Sequence, residues 1–167
     1  MNERAGTDAP VGLLLVSGEG ATIAEWHPRK VEMLRKLELG LTEAEEHERA
    51  GGSYSHPTAP GDKGRAALAG SQRDLWERRL DEHRARFARS AAETTARTAQ
   101  GRGWDLVLVL GDPRRTGPAV EELGRHNVEA VRSDLVLDWL RPAALAERVA
   151  PEVERARAST HPAQSRR

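Results

Sequence analysis

Val11-Gly12-Leu13-Leu14-Leu15-Val16, then Ser17-Gly18-Glu19-Gly20, then Ala21-Thr22-Ile23-Ala24-Glu25-Trp26: this stretch decides how the chain folds. The first run is apolar throughout and too short for a helix of its own, so it reads as a buried strand. The Gly-bearing tetrapeptide reads as a hairpin turn and the third run as the returning strand. Pro28 and the Arg29-Lys30 pair make the next turn, and Val31 to Leu39 returns as a third strand. Its odd positions are Val31, Met33, Arg35, Leu37 and Leu39, four of the five apolar. A half-buried strand requires that alternation.

Beyond the third strand, residues 42–66 lose all periodicity. Glu43, Glu45, Glu46 and Glu48 form an acidic knot, followed by Gly51-Gly52-Ser53-Tyr54-Ser55-His56-Pro57 and Pro60-Gly61-Asp62-Lys63-Gly64. So long a loop inside a domain is functional or disordered, and a mobile insertion is expected here. A helical period begins at Arg65. Trp76, Leu80, His83, Phe87, Ala91, Thr94 and Thr98 recur at steps of three and four, one stripe of an amphipathic helix. From Leu68 to Gln100 it would run about 50 Å, and Gly101-Arg102-Gly103 would stop it. Trp104-Asp105-Leu106-Val107-Leu108-Val109-Leu110 is the fourth strand, closed by Gly111-Asp112-Pro113. Helix over Thr116–Arg125, strand over Val128–Val131, a connection offering Trp139 for burial, and helix over Pro142–Ala158 complete the chain. Residues 1–10 and 158–167 read as disordered tails around a single domain, 11–157. The order β-β-β-α-β-α-β-α predicts an α/β fold: a mixed sheet with helices on its faces and one long helix, resembling the ribonuclease-H-like arrangement.

A chain of 167 residues suits one such domain. It contains no cysteine, which excludes a disulfide framework, a thiolate nucleophile and a Cys-bearing zinc site, and suits a reducing cytoplasm. No segment approaches the roughly 20 apolar residues of a membrane span. The 26 basic and 26 acidic residues cancel, but they fall in blocks. Leu41–Ala50 has four Glu against one Arg, and Arg65–Gln100 has eight Arg against five acids. Four more Arg lie between Arg155 and Arg167.

The order of elements raises a metal nuclease, which needs carboxylates converging from the first strand. Val11–Val16 carries none, and Asp112 in Gly-Asp-Pro is a turn or cap residue. The six histidines show no ligand spacing, and His83 reads as a partly buried structural contact. Nucleophile-elbow, phosphate-loop and dinucleotide fingerprints are missing too, so neither metal nor cofactor is expected. What remains is Ala69-Gly70-Ser71-Gln72-Arg73 at the head of the long helix, with Arg78, Arg79, Arg84, Arg86 and Arg89 behind it. Such a helix can lay its opening on phosphates, or it can be a Ser-capped helix with a solvated charged face.

Gly70-Ser71-Gln72 at the head of a long basic helix, in this order of elements, resembles the peptidyl-hydrolysis domain of archaeal and eukaryotic type class-1 release factors. It is more similar still to their stand-alone bacterial relatives and the Vms1-like ribosome-rescue branch. The resemblance covers Val11 to Ala158 and implies a cytoplasmic protein acting on the ribosome, its rRNA and peptidyl-tRNA. It also implies catalytic roles for Gln72, which would orient the attacking water, and for Gly70 and Ser71 in the loop. Arg65, Arg73, Arg78 and Arg79 would meet RNA. Ala69 stands where a second glycine would be expected. The alternative is a non-catalytic ribosome- or protein-binding module of the same fold, with a homodimer left open.

Overall fold

The computed structural model describes residues 8–40, 63–137 and 141–160, with the backbone alone for 63–69. Most of the expected 42–66 insertion, residues 1–7 and 161–167 of the expected tails, and Trp139 lie outside the described residues. Five strands are described, β1 (Val11–Val16), β2 (Gly20–His27), β3 (Lys30–Glu38), β4 (Val107–Gly111) and β5 (Ala130–Ser133). With helices α1 (Lys63–Arg102), α2 (Pro113–Arg125) and α3 (Pro142–Thr160), they follow the expected order. The sheet runs β3-β2-β1-β4-β5. Pairing is antiparallel from β1 to β2 and β2 to β3, and parallel from β1 to β4 and β4 to β5.

Strand β1 lies at the centre with every residue buried, which is why it is apolar without a break. Its two faces serve two cores. Val11, Leu13 and Leu15, with Trp26 of β2, pack under Leu145, Val149 and Val153 of α3. Leu14 and Val16, with Ile23 of β2, pack under α1 and α2. The β1–β2 turn is closed by Ser17, whose Oγ accepts from the backbone N–H of Gly20 at 3.1 Å. In the β2–β3 turn Pro28 precedes Arg29 at φ 71°, Pro and a left-handed residue occupying the two central positions.

Four details depart from the pattern read in the sequence. In β3 the register shifts between Ile23 and Ala24 of its partner, so Ala24 pairs with Met33 and Ile23 with Arg35. Leu34 is the extra residue of a bulge, so Leu34 and Leu37 turn to the face covered by α1 and α2, while Met33, ahead of the bulge and opposite Ala24, is 46% exposed. In α1 the fully buried stripe is Ala88, Ala91, Ala92, Thr95, Ala96 and Ala99. The expected stripe from Trp76 to Thr98 is half-buried except for Ala91. Helix α1 also begins at Lys63, so residues 63–66 are helical and Gly70-Ser71-Gln72 lies two turns inside the helix. Helix α2 begins earlier than expected too, at Pro113, with Asp112 as its N-cap accepting from Arg114 N–H at 2.9 Å. It ends at Arg125, just past Gly124, and Asn127 at φ 57° lets its N–H reach Gly124 O and that of Val128 reach Leu123 O.

One buried network joins α1 to the sheet. Gly103 at φ 69° ends the helix, and the Trp104 N–H returns to Ala99 O at 2.9 Å. The Trp104 ring then lies over Gly12, where any Cβ would overlap it. Its indole N–H donates to Glu25 Oε2 at 2.5 Å. The other oxygen, Oε1, lies 2.7 Å from His27 Nε2 and 3.2 Å from a guanidinium nitrogen of Arg102. Burial pushes the Glu25 carboxyl up, but the hydrogen bonds from Trp104, His27 and Arg102, with the guanidinium charge, outweigh it and hold it below its ordinary value. A folded pKa below the unfolded one means the network stabilises fully above the unfolded pKa and loses that contribution as pH falls through the folded one.

Gly12→Ala should therefore lower stability by about 1–3 kcal/mol in urea unfolding, because the ring must move. Glu25→Gln should cost about 1–3 kcal/mol at neutral pH, with the gap from the native chain closing as the pH falls through the depressed folded pKa of Glu25. A gap independent of pH would remove Glu25 ionisation from the stability of the fold.

Candidate functional site

Helix α1 spans 40 residues, about 60 Å at 1.5 Å per residue, and its two halves have different surroundings. From Ala88 onward it is seated on the sheet and α2 through its alanines. Small side chains let the backbone come close. Between Gly70 and Glu82 only Trp76 and Leu80 are half-buried, and every other residue is exposed, Leu75 among them. The midpoint is tied to the sheet's edge by His83, whose Nε2–H donates to Gly40 O at 3.0 Å. His83 thus makes the structural contact expected of it.

Gly70, Ser71 and Gln72 all lie on this first half and are exposed. Gln72 precedes Ala88, the first fully buried α1 side chain among the described residues, by about 24 Å of helix. Arg73, Arg78 and Arg79 share the same exposed stretch, while the side chain of Arg65 lies outside the described residues. Arg73 pairs with Glu77 one turn on at 3.6 Å, with both side chains more than half exposed. Such a pair is worth a few tenths of a kcal/mol and yields easily to another anion. The helix does not open at Gly70, so the amides of residues 70–72 do not form a free helix N-terminus. Gly70 is helical, yet a Cβ there would meet open space. Glycine inside a helix costs about 1 kcal/mol relative to alanine, and packing gives no reason for it at this position.

Two other groupings lie elsewhere. A cleft of about 640 Å³ is lined by Gln100, Trp104, Asp105, His126, Asn127 and Glu129, among others. It opens at the far end of α1, about 42 Å of helix from Gln72, so the two do not form one site. Glu25, His27 and Glu32 bring one ligand atom each to within 4.8 Å of one another, a donor set suited to a transition metal. The Glu25 carboxylate is already held there by Trp104 and Arg102, and the cation beside it opposes a second positive charge. Motif and spacing do not single out Glu25, yet a signal for it exists in the sequence. By the period of two, Ala21, Ile23 and Glu25 share a face, so an acid falls on the buried side of the strand.

The family model for the bacterial archaeo-eukaryotic release factor family 10 matches residues 2–160. Among curated proteins nothing matches. Among solved structures, the archaeal translation termination factor aRF1 has a TM-score of 0.39 at 16% identity, covering 93% of this chain and 41% of that one. A structure described as an archaeal protein gives 0.37 at 15%, covering 93% and 40%. The chain thus spans about two fifths of the length of both structures. With the family model running from the second residue to the end of α3, the chain belongs to the bacterial archaeo-eukaryotic release factor family.

Proposed function

We propose that the chain acts as a release-factor-like protein on ribosome-bound peptidyl-tRNA and hydrolyses the ester between nascent peptide and tRNA. The observation that carries this reading is the placement of Gly70-Ser71-Gln72, exposed on the half of α1 that lies beyond its core contacts. Membership in a release-factor family supports it. In this reading Gln72 meets the peptidyl ester and orients the water. A primary amide both donates and accepts, so it can hold a water with a lone pair aimed at the ester carbon. The water oxygen bonds to that carbon, the bond to the tRNA ribose oxygen breaks, and the products are a free peptide acid and a tRNA hydroxyl. Donors of the surrounding RNA supply the remaining stabilisation.

Gly70 and Ser71 give the segment its conformational freedom. The glycine weakens the helix where no neighbour demands it, so the turns from Lys63 to Gln72 unwind at low cost when substrate is met. Arg65, Arg73, Arg78 and Arg79 serve as phosphate contacts, the guanidinium being the better fork for a phosphate.

A second reading is favoured by one observation, the helical backbone running through Gly70, Ser71 and Gln72. A helix that stays wound there makes the chain a non-catalytic binding module for the ribosome or a protein, a second copy included.

Peptide release from purified ribosome–nascent-chain complexes separates the two. Release by the native chain should fall about a hundredfold in Gln72→Ala, the drop expected when a positioning group is removed. Equal release by both proteins would sink the catalytic assignment, and binding without release by either would favour the module. Gly70→Ala should raise thermal stability, by about 1 kcal/mol, while slowing release. A variant that is more stable and equally active would show that the helix has no need to unwind.

A further inference from the structure

Gln72, Arg79, Arg86 and Arg97 stand at successive steps of seven, seven and eleven along α1, and all four are exposed. Steps of seven and eleven each return to within about 20° of the starting direction at 3.6 residues per turn. The four therefore form one line, about 38 Å long, on the side turned away from the buried Ala88, Ala92, Thr95 and Ala99. Asp74, Glu77 and Asp81 lie more than about 130° around the helix from the line. Glu82 and Glu93 flank it on one side, about 40–60° away. Glu93 engages Arg97 at 2.8 Å, a largely solvated pair one turn apart, of the weak kind that salt screens. A phosphate can displace so weak a partner.

We infer that this outer line of α1 is a track for an RNA phosphate backbone, with Arg86 and Arg97 as contacts beyond those proposed above. The inference rests on the ribosomal reading and deepens it, naming where the RNA runs once Gln72 has reached the ester. The chemistry favours RNA over a protein partner. A protein interface needs an apolar centre and is depleted of charge there, whereas this line holds arginines, with Ser90 and the half-buried His83, bonded to Gly40 O, between them. Regularly spaced guanidinium forks suit a polyanion whose charges repeat along its length.

The test is fluorescence anisotropy of a labelled RNA hairpin with a single-stranded 3′ end, titrated with the full chain between about 50 and 200 mM salt. The double variant Arg86→Gln/Arg97→Gln should bind more weakly. Its slope of log affinity against log salt should shrink by about 1.5, because each neutralised phosphate adds about 0.7–0.9 to that slope. Helical circular dichroism should be unchanged, because both positions are exposed. An unchanged slope in the double variant, or native binding that ignores salt, overturns the track. Failure of Gln72-dependent peptide release with the slope effect intact overturns the catalytic reading alone, so the two failures are distinguishable.

Discussion

The Trp104 indole, seated over Gly12 and bonded to the buried Glu25 carboxylate, is the contact on which the arrangement of the rest depends. Its backbone N–H closes the last turn of α1 on Ala99, and its ring fills the space left by the missing side chain on the central strand. One residue thus ends the long helix and fastens that end to the middle of the sheet. Arg102 of the same terminus adds its charge to Glu25, so the carboxylate has strong partners and its burial is sustained. A helix of about 60 Å held at this end, along its alanines and at its midpoint by His83 takes its direction from those contacts.

The alanine stripe continues the same logic along the helix. Ala88, Ala91, Ala92, Ala96 and Ala99 contribute little area each, but they allow close approach to β1, β2 and α2 over three turns. Toward the N-terminus the small residues give way to exposed polar and charged ones. Helical propensity and one-turn ion pairs hold that half together, and these are weak terms. Local opening free energy should therefore fall from Ala88 toward Lys63. That gradient, with Gly70 in the weaker half, gives the proposed unwinding a physical basis independent of any sequence motif.

Element order was legible because each signal was local. Val11–Val16 is apolar throughout for a strand covered on both faces, and Gly103 and Pro113 punctuate α1 and α2. Gly70-Ser71-Gln72 was visible as residue types ahead of a basic stretch. Other features were not visible because they depend on partners distant in the chain. The Leu34 bulge answers a register set across β2, and the buried stripe of α1 follows its neighbours more closely than its own large side chains. The Glu25 network joins residues about eighty positions apart.

By itself the sequence determined which segments become strand or helix, their order, and where arginines and the Gly-Ser-Gln triplet fall. Backbone propensity and hydrophobic period act over a few residues and are written in the chain. Only the tertiary structure decided that Gly70-Ser71-Gln72 lies within the helix, clear of the core, and that Gln72, Arg79, Arg86 and Arg97 share an outward line. Which side of a helix faces solvent is settled by what packs on the other side, and here that is Trp104 on Gly12 and the alanines on the sheet.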